Sequence, residues 1–331
     1  MNSELRVLMI TSEWPSPTSP EAASAPFVVR QVDFLRQSGI AVEVFHFQGL
    51  KKLSNYLRAW YRVQKRLSER KFDLVHAQFG QSAFPALPKR LPLVITFRGS
   101  DLEGIVGDDG RYTLDGWGLR RFGQIAARMA DWVIVVSEHM TRHLRGSVPI
   151  SVIPSGVDLT LFRRTPKEEA KRQLGLPMRK PLVLFVGDPA EIRKRYFLAE
   201  NAVKLLGESI AAELVVAWDK PHASIPLYMS ACDVLVFTSM HEGSPNAVKE
   251  ALACDLPIVS VAVGDVSARL KGIEGCLVCV DDQPTTIAEA LERVLKRGKR
   301  IRGRERILDL DESLLTQKVV DIYQSVIAKR D

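Results

Sequence analysis

Cysteine is scarce in this chain: four in 331 residues, Cys232, Cys254, Cys276 and Cys279, all among apolar neighbours. That argues against a disulfide-stapled scaffold and favours buried thiols. Cys276 and Cys279 form a CxxC, but inside a strand-like CLVCV with no second pair of metal ligands, so packing is their expected role. Long apolar runs are also missing. Trp132 to Val136, Pro181 to Val186 and Leu214 to Trp218 fall well short of the roughly 20 residues that a spanning helix needs. The opening MNSELRVLMIT has neither a basic leader nor a small-residue cleavage site, and reads as a first buried strand of a cytoplasmic protein. No GxGxxG follows that strand and no GxxxxGKS/T occurs anywhere, which takes support from ordinary NAD enzymes and P-loop NTPases.

What is present is an ordinary folding composition. With 46% hydrophobic and 26% charged residues, the chain has enough apolar surface to bury about two cores. The charge is uneven. Residues 51–71, KKLSNYLRAWYRVQKRLSERK, carry eight basic residues and one acid, with Leu53, Leu57, Trp60, Tyr61 and Leu67 at helical spacing. Such a helix can lie on an anionic membrane surface, or it can simply turn its apolar stripe to a sheet; the second reading stands slightly ahead and both can hold. A second basic run, KRGKRIRGRER over 296–306, reads as a solvated helix end and loop, without the aromatic or motif support that nucleic-acid binding asks for.

Strand and helix patterns alternate along the chain. Strands are predicted at Arg6 to Thr11, Val42 to Phe47, Leu74 to Gln78, Leu93 to Phe97, Val133 to Ser137 and Ser151 to Pro154, with helices such as Phe27 to Ser38, Lys51 to Glu69 and Gly116 to Ala130 between them. A second series follows the polar stretch 163–180, at Leu182 to Val186, Glu213 to Ala217, Val234 to Thr238, Ile258 to Val263 and Leu277 to Val280. Alternation of this kind predicts α/β architecture with parallel sheets covered on both faces. The expected domains are residues 1–163, a Rossmann-like half, and 164–310, a second Rossmann-like half, facing a central cleft where strand C-termini bind ligand. A last helix within 311–331 is expected to pack back on the first domain.

The most informative stretch is DVLVFTSMHEGSPNAVKEALACD, Asp233 to Asp255, which reads strand, loop, helix. Ser244 suits an N-cap and Pro245 the first helical position, while Gly243 lets backbone approach a ligand, so the amides of Ser244, Asn246 and Ala247 form a predicted phosphate seat. Glu242 precedes the seat and Glu250 follows eight residues later, about 12 Å along a helix. Two carboxylates that far apart suit one extended ligand, such as a nucleoside diphosphate sugar. A DxD at Asp309 and Asp311 precedes the last helix, away from any strand end, and is read as capping and not as a metal site.

In the order FDLVHAQFG, ITFRGSD, ADWVIVVSEHM, SVIPSGVDLTLF, LFVGDPAEIRKR and EGSPNAVKEALACDLPIVS, the chain resembles glycosyltransferase family 4, retaining enzymes of the GT-B fold that use sugar nucleotides. The wording APFVVRQVDFLRQSG, GDPAEIRKR and SVAVGDV is similar to bacterial members that build extracellular polysaccharides, including the teichuronic-acid type. The resemblance implies that residues 1–163 bind acceptor and 164–310 the donor. It implies a sugar moved from a nucleotide diphosphate sugar, UDP- ahead of GDP-, to a lipid-linked or oligosaccharide acceptor, with no metal or other cofactor.

Residue by residue, the resemblance implies that the donor diphosphate rests on Gly243, Ser244, Pro245, Asn246 and Ala247, and that Glu250 holds the ribose. Lys194, reached by the stretch from Gly187 with Arg193 beside it, would steady the leaving diphosphate. Glu242 would meet the transferred sugar. Attack by the acceptor hydroxyl would come from the same face, and the helix N-terminus and lysine would carry the developing charge. Acceptor-side expectations fall on Phe27, Arg30, Arg98 and Asp101. Two positions depart from the family pattern: Asp188 stands where an arginine is usual, and needs Arg193 or Arg195 to compensate it; Arg98 replaces a histidine before Gly-Ser-Asp, and would hold a phosphate or an acidic sugar. A sugar-nucleotide epimerase shares the two-domain layout and the nucleotide seat and stays open, and the two departures keep open a non-catalytic nucleotide-binding subunit. His76, in VHAQ, is read as a structural histidine.

Overall fold

The computed structural model describes residues 4–14, 26–49, 52–105, 112–207 and 209–330. Two compact units divide the chain: Met1–Ser155 with Glu312–Asp331, and Gly156–Asp311.

The first unit runs β1 (Arg6–Thr11), α1 (Pro26–Gln37), β2 (Ala41–His46), α2 (Leu53–Glu69), β3 (Leu74–Gln78), β4 (Leu93–Phe97), α3 (Ser100–Glu103), α4 (Leu114–Met129), β5 (Trp132–Val135) and β6 (Ile150–Val152). Its six strands are all parallel, in the order β2-β1-β3-β4-β5-β6. Alternation along each strand sorts the two faces. Leu8, Ile10, Val75, Ala77, Ile95, Val133 and Val135 point to one side and pack on Ala59 and Val63 of α2, on Ala126 and Ala127 of α4, and on a 3-10 segment at Gly80–Ala86. The opposite side takes α1 and the C-terminal helix of the chain, which runs Glu312–Ala328.

His76 lies on that second side and is fully buried between the Tyr323 hydroxyl, 2.6 Å from Nδ1, and Thr96 Oγ1, 2.7 Å from Nε2. Its role is structural. Burial, with help from the Arg98 charge, lowers its pKa from 6.5 to about 3. The folded state thus keeps the imidazole neutral while the unfolded chain protonates below pH 6.5, so this contribution to stability is intact above pH 6.5 and is lost as pH falls through about 3. Between pH 7.5 and 4.5 the wild type is expected to lose about 2–3 kcal/mol more than His76→Gln, measured by urea unfolding at both pH values. Equal slopes for the two proteins would refute it.

In the second unit, α5 (Lys167–Leu174), β7 (Leu182–Val186), α6 (Tyr196–Leu206), β8 (Glu213–Ala217), α7 (Ile225–Ala231), β9 (Val234–Phe237), α8 (Asn246–Ala253), β10 (Ile258–Ser260), α9 (Val266–Leu270), β11 (Leu277–Val278) and α10 (Pro284–Arg297) follow one another, and the C-terminal helix of the first unit completes the chain as α11. The sheet is parallel throughout, ordered β11-β10-β9-β7-β8, with α6 and α10 packed on Val183, Phe185, Val234, Val236 and Val259. Three of the four thiols are buried, none is bonded to another, and burial pushes Cys232 and Cys254 up to about 12, as packing residues. Residues 156–163 pack in this unit: Val157 N–H donates to Leu310 O, and Arg304 donates to the carbonyls of Leu159 and Phe162.

Two expectations are corrected here. The basic run 296–306 is not simply solvated, because Arg300 donates to the carbonyls of Met229, Ser230 and Cys232, and Arg304 also to that of Ala253. A planar guanidinium can satisfy several turn carbonyls at once, and these two are used as braces. The apolar stripe of α2 does not face the sheet. Ala59, Val63 and Gln64 do, with Tyr56 and Leu67 partly covered, while Leu53, Leu57, Trp60 and Tyr61 are exposed. Lys51 of the same basic run lies outside the described residues.

Candidate active site

The strand order of the second sheet reverses between β7 and β9: the chain leaves β7 to lay β8 on one side, then returns to lay β9 on the other. Loops that leave the carboxyl ends of two such strands splay apart and open a ligand crevice. The Gly187–Lys194 loop leaves β7 and the Glu242–Asn246 loop leaves β9, so the two most distinctive motifs of this half straddle one switch point.

The β7 loop turns sharply. Gly187 has φ +139°, in the region that favours glycine, and a Cβ there would sit 3.4 Å from Lys194 Cε, so the lysine stem lies against bare backbone. A 3-10 turn, Ile192–Lys194, then brings Lys194 Nζ to 2.8 Å from Glu242 Oε1, and Arg193 Nη1 reaches the same carboxylate at 2.7 Å. Thr238 Oγ1 donates to the Lys194 carbonyl at 2.9 Å and Met240 N–H to that of Arg193 at the same distance, locking the two loops together. Burial works against the charge of Arg193, but Glu242 and Glu191 outweigh it and raise its pKa. Asp188 is compensated by neither Arg193, which pairs with Glu242 and Glu191, nor Arg195, which pairs with Asp282. Its carboxylate instead accepts from Ala190 N–H at 2.8 Å, inside its own turn.

The β9 loop differs from expectation at its helix start. Pro245, not Ser244, occupies the cap position, Asn246 is the first helical residue, and no side chain caps the end. The Ser244 hydroxyl donates to Asp265 Oδ2 at 2.8 Å, an acceptor that Arg269 holds at 2.6 Å; a carboxylate outcompetes a backbone-directed cap for the one hydroxyl proton. The consequence favours ligand binding. Among the described residues the amides of Ser244, Asn246 and Ala247 donate to no backbone carbonyl, and they sit at the positive end of α8. Gly264 keeps the loop in place: at φ +53°, a Cβ there would lie 2.4 Å from Gly243 O and 2.5 Å from Glu242 O. Gly264→Ala is accordingly expected to cost about 1–3 kcal/mol of stability and to weaken nucleotide binding with it, checked by thermal melts with and without UDP. An unchanged melt would contradict the close approach.

Glu250, on α8, is 4% exposed. Its Oε1 lies 3.0 Å from His222 Nε2, in the loop after β8, and the His222 ring packs on Phe162 at 5.2 Å between centroids. The sequence points to the strand end around Ala217 to Ser224 for donor selectivity but does not single out His222. Its only signal was a position just past a strand end.

In the first unit the predicted acceptor-side residues are drawn into structural work. Asp101 is buried and its carboxylate accepts from the backbone N–H of Gly80, Arg98 and Gly99 at 2.8–3.0 Å, so it holds a turn and contacts no open surface. The Arg98 guanidinium makes four hydrogen bonds, two to Gln78 Oε1 and one each to Gln31 Oε1 and Ser155 Oγ, and stacks over Phe27 at 4.5 Å. Burial lowers its pKa to about 10, and these bonds brace the guanidinium in place. Arg30 forms a buried ion pair with Glu312 of α11 at 2.8 Å, and Phe27 also meets Phe79 edge-on. For the polar residues the reason is common: charged groups covered by packed helices must find their partners internally. Glu13, just past β1 at the switch point of this sheet, was not foreseen; burial and the neighbouring Asp101 raise its pKa.

Two parallel-sheet α/β units, one with a lysine and an acid flanking bare amides at its switch point, define the GT-B class of glycosyltransferase. Solved structures agree on the fold: sucrose-phosphate synthase of Thermosynechococcus elongatus matches with a TM-score of 0.80 at 18% identity over 98% of this chain and 100% of that one, and HepE of Anabaena, solved with UDP and glucose, with 0.70 at 17% over 97% and 100%. Both halves of the chain belong to glycosyltransferase families: residues 3–161 match the Glycosyltransferase Family 4 model and residues 179–297 the model Glycosyl transferases group 1. TuaC of Bacillus subtilis, a glycosyltransferase assigned to teichuronic acid biosynthesis, is 28% identical over 270 residues, covering 74% of this chain and 67% of its own. The D-inositol 3-phosphate glycosyltransferase of Thermobispora bispora is 24% identical over 294 residues, 76% of this chain and 68% of that protein. The chain is therefore an enzyme of the hexosyltransferase type.

Among the described residues no helix is long and apolar enough to cross a membrane, and no cluster of three or more His, Cys, Asp or Glu side chains could hold a metal ion.

Proposed function

We propose that the protein is a retaining glycosyltransferase that moves a hexose from a UDP-sugar to a lipid-linked or oligosaccharide acceptor in cell-surface polysaccharide synthesis, at an anionic membrane face. The observation that carries the donor half is the meeting of Lys194 and Arg193 on Glu242 beside the unoccupied donors of the Ser244, Asn246 and Ala247 amides. In this reading the diphosphate rests on those amides and on Lys194, Glu250 accepts ribose hydroxyls with His222 fixing its orientation, and Glu242 meets the sugar. As the bond from anomeric carbon to phosphate oxygen breaks, negative charge gathers on the diphosphate, where the lysine and the helix end stabilise it. The acceptor hydroxyl attacks from the face the diphosphate leaves, and its proton passes to the departing phosphate oxygen. Support for UDP comes from HepE, solved with UDP-glucose, and support for a polysaccharide product from the assignment of TuaC.

The test is a screen of UDP- and GDP-sugars by isothermal titration, with release of nucleoside diphosphate followed in the presence of polyprenyl-linked and oligosaccharide acceptors. Transfer with retained anomeric configuration from a UDP-sugar is the expected result. Conversion of UDP-N-acetylglucosamine without acceptor would make the protein an epimerase, and binding without turnover on any acceptor would make it a non-catalytic subunit.

A further inference from the structure

Helix α4 carries a cationic groove that the donor chemistry does not use. Its inward stripe is small, Gly116, Gly123, Ala126 and Ala127, and close-packed: a Cβ at Gly123 would lie 2.3 Å from Asp101 O. One flank of the helix lines a groove of about 240 Å³ with three arginines, Arg120, Arg121 and Arg128; Arg145, from the loop beyond β5, adds a fourth, and Trp117 and Gln124 complete it. No acid lines this groove, and among the described residues none of the four arginines is in an ion pair; Arg120 stacks on Tyr112 and Arg121 on Trp117. Four like charges left together repel one another unless an anion joins them.

What surrounds the groove indicates which anion. Leu114 and Trp117 on α4 are 91% and 57% exposed, and Leu53 and Tyr61 on α2 are 70% and 64% exposed. Both helices pack on the same 3-10 segment, Gly80–Ala86, and cover the same face of the first sheet, so their outer surfaces belong to one side of this unit. Large exposed apolar side chains beside arginines, on two helices that cover one face of a sheet, are what an interfacial surface requires: the apolar groups enter the acyl boundary and the cations stay at the phosphates. A soluble acidic polymer would use the arginines but not the apolar residues.

We infer that the face made by α2 and α4 docks on an anionic phospholipid bilayer, with the α4 arginine groove seating lipid phosphate groups. The inference rests on the membrane half of the proposed function and extends it to a second helix and a defined seat. Arg120 and Arg128 are about 12 Å apart along the helix, room for more than one headgroup.

The test is co-sedimentation of the full chain with vesicles of phosphatidylglycerol and phosphatidylcholine, against phosphatidylcholine alone. Binding is expected only with phosphatidylglycerol and is expected to weaken between 0.1 and 0.5 M salt. One cation near an anionic surface is worth about a five-fold factor, so the combined Arg120→Ala, Arg121→Ala, Arg128→Ala and Arg145→Ala variant should bind at least ~100-fold more weakly. A second variant, Leu53→Ser with Tyr61→Ser, should lose a smaller factor, and circular dichroism melts establish that both are folded. Equal binding of the four-arginine variant, equal binding to phosphatidylcholine alone, or capture by soluble polyglutamate but not by vesicles would each overturn the inference. Vesicle binding needs no donor, and UDP affinity measured on the same variants should be unchanged, so failure of the transferase reading would leave this result distinct.

Discussion

Lys194→Ala is expected to lower turnover by about 100- to 1000-fold while donor affinity falls much less. A fixed cation aimed at charge that develops only as the bond breaks is worth about 3–4 kcal/mol in the transition state. Lys194 is fixed in this sense. Its side chain is 18% exposed, its stem runs along Gly187, its carbonyl accepts from Thr238, and its ammonium is already 2.8 Å from Glu242. Loss of the lysine leaves Glu242 with Arg193, so the local fold should survive and the melting temperature should change little. Lys194→Arg keeps the charge, but a guanidinium is bulkier where the stem meets Gly187, and only partial rescue is expected. Steady-state release of UDP, paired with titration of UDP binding, separates the outcomes. A lowered affinity with normal turnover would show that Lys194 binds the ground state only.

Glu250→Gln is expected to do the reverse: donor KM rises about 10- to 100-fold and kcat stays within a few-fold. Hydrogen bonds to a charged acceptor are worth about 1.5–3 kcal/mol, and the ribose lies far from the reacting carbon, so their loss affects ground state and transition state alike. The carboxylate is buried and held at 3.0 Å by His222, which Phe162 supports, so a neutral amide must either lose the ribose contacts or turn away from the imidazole. Because the ribose belongs to the nucleotide, UDP alone should lose as much affinity as the full donor. His222→Ala should reproduce the effect at about a third to a tenth of its size, since it removes the support and not the contact. UDP affinity that is unchanged in Glu250→Gln would detach Glu250 from the ribose.

The fold was largely legible in the chain. Parallel strands buried on both faces need near-continuous apolar runs, and LVHAQ, LVITF, LVLFV and VLVF announce themselves by that rule. Their ends were less legible: Ile258 to Val263 shortened to Ile258–Ser260, since a strand stops where pairing stops and not where hydrophobicity does. The α2 stripe was misjudged because Leu53, Leu57, Trp60 and Tyr61 are larger than Ala59 and Val63, and the helical spacing of large residues takes no account of the room available at the sheet. Where helix and sheet approach closely, small residues win the inner face.

The donor side of the site was readable for a local reason: Gly187, Lys194, Glu242 and the amides after it lie in two short loops, each leaving a strand that the sequence already marks. The roles of Ser244, Asp101, Arg98 and Arg30 were not, because each is set by a partner far along the chain: Asp265, Gly80, Gln78 and Glu312. The sequence alone determined the two alternating α/β halves, the family and the acid-flanked loop, all consequences of patterns a few residues long. Only the tertiary structure decided which polar side chains remain for a ligand, because a hydroxyl or guanidinium commits its protons to the nearest strong acceptor, and nearness across the fold is not written in neighbouring letters.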